Sequence, residues 1–131
     1  MKIGTDESYL KIERSHVIDP YSSFLMECYH TDSHSNFSGS CNAVVFDSGE
    51  EVRHSLAAFE RFEIQALEIP GGGGCRIVIS RDSHGNIQVR YRIGNWKQGS
   101  DSGFEGLVKV DGEFSQGFIR ELSELILGPS Q

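Results

Sequence analysis

Apolar and polar positions alternate most cleanly over residues 75–93. Ile87, Val89, Tyr91 and Ile93 share one side of an extended chain, and Asn86, Gln88, Arg90 and Arg92 share the other. Cys75, Ile77 and Ile79 form the matching apolar row ahead of the turn at residues 82–86. Successive strand side chains point to opposite faces, so the pattern predicts an antiparallel hairpin with one buried and one polar face.

Shorter stretches repeat the period. Leu10 and Ile12 alternate with Lys11 and Glu13 in a first strand over residues 9–14, and Phe24, Met26 and Cys28 alternate in a second over 24–29. The polar cluster at 31–36 predicts a turn, and residues 37–46 a third strand. Asp47, Ser48, Gly49, Glu50 and Glu51 then read as a helix start: a short polar side chain satisfies free N–H groups, and carboxylates suit the positive end of the helix dipole. Val52, Leu56, Phe59 and Phe62 continue it as one apolar stripe. Residues 63–69 fit neither period, and Pro70 with the glycines at 71–74 ends the segment. After the hairpin come a polar loop at 95–103 and a strand at 104–110. Asp111 can cap a second helix bearing Phe114, Phe118, Leu122 and Leu125 or Ile126, and Gly128-Pro129 stops it. The order β-β-β-α-β-β-β-α predicts an α+β fold, a single antiparallel sheet of about six strands with two amphipathic helices packed on it.

The chain has 131 residues, which predicts one domain with an ordered core over about 9–127. Its formal net charge is −7, from nineteen acidic and twelve basic residues. That field opposes a nucleic-acid backbone or an anionic membrane and favours a basic protein partner; it also serves solubility alone. No run approaches the ~20 apolar residues that span a bilayer, and the first ten residues do not read as a signal peptide. Cys28 and Cys75 share strand parity with apolar neighbours, which predicts buried, reduced thiols in a cytoplasmic protein.

Few residues point to chemistry. Cys28, His30, Asp32 and His34 would share one face of an extended chain, a donor set suited to zinc or iron, but the turn formers at 31–36 break that face. The glycines at 71–74 lack the Lys-Ser/Thr of a phosphate loop and precede a strand, so they read as a connector. His84 falls in the hairpin turn beside Gly85, which is expected to take a positive φ. No Ser/His/Asp constellation has a workable spacing, and no catalytic residue and no cofactor is assigned. Arg76, Arg90 and Arg92 line the outer face of the hairpin, where they serve as a scaffold paired with acids such as Glu13 and Glu27, or as an anion-binding stripe. Trp96, the single tryptophan, stands in a loop with Asp101, either as an exposed anchor or packed inward on a sheet edge.

Phe37-Ser38-Gly39, Phe46 leading into residues 51–62, the run Asp82-Ser83-His84-Gly85-Asn86-Ile87-Gln88-Val89, and residues 106–110 leading into 114–126 together resemble the WapI family of bacterial immunity proteins. The likeness runs from about Tyr9 to Leu127, and the glycine run at 71–74 departs from it. The resemblance implies a non-enzymatic cytoplasmic protein that neutralises a cognate toxin domain, often a nuclease. On that reading Asp47, Glu50, Glu51, Trp96 and Asp101 are the expected partner-binding residues. Two alternatives stand beside it. One is a small accessory domain acting as a homodimer or larger homo-oligomer; the other is a metal-dependent enzyme using Cys28, His30 and His34.

Overall fold

Two antiparallel sheets of four strands each face one another in the computed structural model, which describes residues 1–18, 21–46, 49–95, 102–110 and 117–128. The first sheet takes β1 (Lys2–Gly4), β2 (Ser8–Ile18), β3 (Tyr21–Thr31) and β4 (Asn36–Val45) in chain order. The second takes β5 (Ala66–Pro70), β6 (Arg76–Arg81), β7 (Ile87–Asn95) and β8 (Ser102–Val110), also in chain order. Helix α1 (Glu50–Glu60) stands between the sheets in sequence, and α2 (Phe118–Leu127) follows the last strand. The α+β class and the order of the longer elements match the sequence pattern. The single sheet does not: the strands divide into two meanders, and β1 and β5 join the expected six. Side-chain parity tells which face of a strand is buried but not which strand is its neighbour, so period alone could not place the division.

Rows of inward side chains cross each sheet. Leu67, Ile79, Val89 and Val108 are successive partners across the second, and Ile69, Ile77 and Tyr91 form the next row, ending at Gly106. In the first sheet Ile3, Leu10 and Cys28 form one such row, and Ile12 pairs with Met26. These side chains, with Phe24, Val44 and Phe46, belong to one continuous buried core, and the sheets meet where the Tyr91 hydroxyl contacts the Cys28 thiol. Register shifts between Phe24 and Met26 on the β3–β4 pair, where Asn42 and Ala43 together oppose Leu25. That bulge reverses the parity of β4, so Val44 and Phe46 point inward after Cys41 has already done so.

The helices close the core. Val52, Leu56 and Phe59 of α1 and Phe118, Ile119, Leu122 and Ile126 of α2 are buried, and α1 packs against both β5 and α2. Arg14 of β2 donates from Nη2 to the Leu125 carbonyl at 2.6 Å, a cation placed at the negative end of α2. Gly128 ends α2 at φ +83°, the expected stop. Asp111 and Phe114, expected to open that helix, lie outside the described residues. Among the described residues no helix is long and apolar enough to cross a membrane.

Candidate functional site

Helix α1 carries the clearest surface features. Its N-cap is Gly49, with no side-chain cap bond, and Asp47 lies outside the described residues. Glu50 and Glu51 occupy the exposed first turn, where the helix dipole favours carboxylates. Glu50 lies 3.5 Å from His54 one turn on. Glu51 instead lines a groove of about 400 Å³ with Val52, Ser55, Glu68 and Pro70, between α1 and β5. Of the expected partner-binding residues, Trp96 and Asp101 also lie outside the described residues, so the structure brings together only Glu50 and Glu51.

The other end of α1 holds a feature that the sequence pattern concealed. The amides of Phe62 and Glu63 bond back to the carbonyls of Phe59 and Ala58 at 3.1 and 2.9 Å. This is the Schellman arrangement, whose turning residue is usually glycine. Here Phe62 turns the chain, at φ +62°, and its side chain is 69% exposed. Phe62 therefore does not extend the apolar stripe, although its spacing from Phe59 suits one. Arg81 holds it in place. The guanidinium lies 3.7 Å from the Phe59 ring centroid and 4.1 Å from that of Phe62, and donates to the carbonyls of Phe59 at 2.6 Å and Ile64 at 3.4 Å. Burial lowers the pKa of Arg81 from its ordinary value. Arg61 grips Glu63 through two nitrogens, each at 3.1 Å, so the residues on either side of Phe62 in the chain form an ion pair. A helical period continued to Phe62 signals core; only the left-handed backbone reveals the exposed ring.

The cysteine–histidine run disperses. Cys28 is buried against Tyr91, while His30 stacks on Phe37 at 5.2 Å and shares a 2.7 Å hydrogen bond with Asp32. Asp32 also accepts the amides of His34 and Ser35, each at 2.7 Å, so its carboxylate builds the β3–β4 turn. Among the described residues no group of three or more His, Cys, Asp or Glu side chains is placed to hold a metal ion.

Arg76, Arg90 and Arg92 do share the outer face of the second sheet, lining a groove of about 360 Å³ with Val78, Glu105 and Leu107. Their acidic neighbours differ from the expected ones. Arg92 meets Glu105 at 3.2 Å and Arg76 meets Glu68 at 3.9 Å, both from flanking strands. Glu13 and Glu27 belong to the other sheet, where Glu13 pairs with Lys11 at 3.1 Å. The hairpin turn forms as expected: Asp82 accepts the amides of His84 and Asn86, and Gly85 sits at φ +83°.

No protein-family model matches this chain, and no curated protein or solved structure matches it either.

Proposed function

We propose that this chain is a non-enzymatic protein-binding module of the immunity type, which neutralises a cognate bacterial toxin domain in the cytoplasm. The observation that carries the reading is Phe62: a large aromatic ring, 69% exposed, fixed by a left-handed backbone and stacked on Arg81. An ordered, exposed aromatic ring loses little freedom on docking, and such residues dominate binding when they fill a partner's pocket. Glu60 and Glu63 flank it, and Glu50 and Glu51 stand at the far end of the same helix, roughly 15 Å away at 1.5 Å per residue. Arg61 and Arg81 balance the two acids beside the ring, so the acidic character lies at Glu50 and Glu51 and in the chain's net charge of −7, which favours a basic partner.

The test is titration calorimetry with the toxin domain encoded beside this chain's gene, at low and at physiological salt. A complex that weakens with salt, and that loses at least tenfold in affinity in Phe62→Ala, supports the proposal. No complex, or one indifferent to both Phe62→Ala and Glu51→Lys, overturns it.

Self-association is the second reading. Leu107 is 41% exposed on β8, which ends the hydrogen-bonded order of the second sheet. Among the described strands β8 pairs only with β7, and a sheet edge bearing an apolar side chain is a template for another chain. A concentration-dependent dimer that Leu107→Lys abolishes, with Phe62→Ala inert, favours this reading over the first.

A further inference from the structure

Cys41 of β4 in the first sheet and Cys75, the residue just ahead of β6 of the second, converge on one carbonyl. The Cys75 sulfur donates to the Gly94 oxygen at 3.2 Å, and the Cys41 sulfur approaches the same oxygen at 4.0 Å. Both sulfurs therefore lie within 4.0 Å of a single oxygen atom. Gly94 lies at φ +126°, a conformation that favours glycine and brings its carbonyl to this point. The third cysteine, Cys28, is engaged elsewhere with Tyr91. Cys75 is buried at 3% exposure, whereas Cys41 is only partly covered, so one member of the pair meets solvent and the other waits behind it.

We infer that Cys41 and Cys75 form a reversible disulfide that joins the two sheets, with a low-molecular-weight disulfide as the oxidant. The Cys41 thiolate attacks one sulfur of the oxidant, forming a mixed disulfide and releasing the first small thiolate, which takes up a proton. The Cys75 thiolate then attacks the Cys41 sulfur, forming the intramolecular bond and releasing the second small thiol. Two protein thiols lose two electrons and two protons, and one small disulfide is reduced to two thiols. Burial raises the Cys75 pKa above the usual thiol value, so the second step runs faster as pH rises. The bond would close the chain between a β4 residue and the residue ahead of β6, restricting the unfolded state. This inference does not depend on the proposed toxin partner.

The test incubates the full chain with oxidised glutathione and reads intact mass, free thiols and disulfide-linked peptides. Expected are a mass loss of about 2 Da, a fall from three free thiols to one, a Cys41–Cys75 peptide and a higher urea midpoint, all reversed by dithiothreitol. Cys75→Ser should instead stop at a glutathione adduct on Cys41. Cys41→Ser, altered at the more accessible position, should keep both remaining thiols. A stable glutathione adduct on the unsubstituted chain without the internal bond, a bond involving Cys28, or only intermolecular dimers would overturn the inference.

Discussion

The guanidinium of Arg81 lies 4.1 Å from the centre of the Phe62 ring, so a strand residue fixes the aromatic side chain at the end of a helix. Stacking and the bonds from Arg81 to two carbonyls offset a backbone conformation that costs a non-glycine residue roughly 1–2 kcal/mol. Phe62→Gly and Phe62→Ala both remove the stack, but only glycine relieves the backbone. The glycine variant should therefore be more stable than the alanine variant by about 1 kcal/mol in urea unfolding. Equal midpoints would mean that the left-handed turn is not strained.

Two glycines allow aromatic rings to lie across the backbone, in different surroundings. A Cβ at Gly106 would run into the hydroxyl end of Tyr91, which is 5% exposed, and one at Gly39 would run into the ring of Phe104, which is 38% exposed. Phe104 can swing outward, while Tyr91 is enclosed by the core. Gly106→Ala should cost about 1–3 kcal/mol, the usual range for overpacking, and Gly39→Ala distinctly less. Thermal or urea unfolding of the two variants checks the order.

Period made the long elements legible. The inward rows of β6 and β7 and the Val52, Leu56 and Phe59 stripe of α1 are visible in the sequence because each repeats its spacing several times. β1 has three residues and β5 five, too few to establish a period, and β5 ends on a proline that reads as a break. The division into two sheets depends on which strands pair, and the inward turn of Phe46 depends on a bulge; parity records neither. Of the candidate surface, Glu50 and Glu51 were visible as helix-start acids. Phe62 was hidden because its spacing from Phe59 is helical while its backbone is not. The Cys41–Cys75 approach joins positions distant in sequence, and no local pattern carries it.

The β3–β4 turn should make the fold sensitive to acid. The hydrogen bond with His30, then the amides of His34 and Ser35, hold the Asp32 pKa well below the usual carboxylate range. A carboxylate with a depressed folded pKa contributes stability that is present above its unfolded pKa of about 3.9 and is lost as pH falls below it. Asp32→Asn should lower the urea midpoint at pH 6 and flatten its fall between about pH 4 and 2. The same slope in the variant and the unsubstituted chain would assign the acid response to other carboxylates.

Tyr91 should set a limit at the alkaline end. Burial, followed by the charge and hydrogen bond of Cys28, pushes its phenol up to about 12 in the folded chain. An unfolded tyrosine ionises near 10, so between about pH 10 and 12 the unfolded state has lost a proton that the folded state still holds. Stability from this group is complete below about pH 10 and declines as pH rises towards the folded value. Tyr91→Phe removes the ionisation while keeping the ring over Gly106, at the expense of the contact with Cys28. The variant should be less stable than the unsubstituted chain at pH 8, by roughly the 0.5–1.5 kcal/mol of one hydrogen bond, and the gap should narrow as pH rises above 10. Urea midpoints of both chains from pH 8 to 11.5 measure that gap directly, and a constant difference would show that Tyr91 ionises as freely in the fold as outside it.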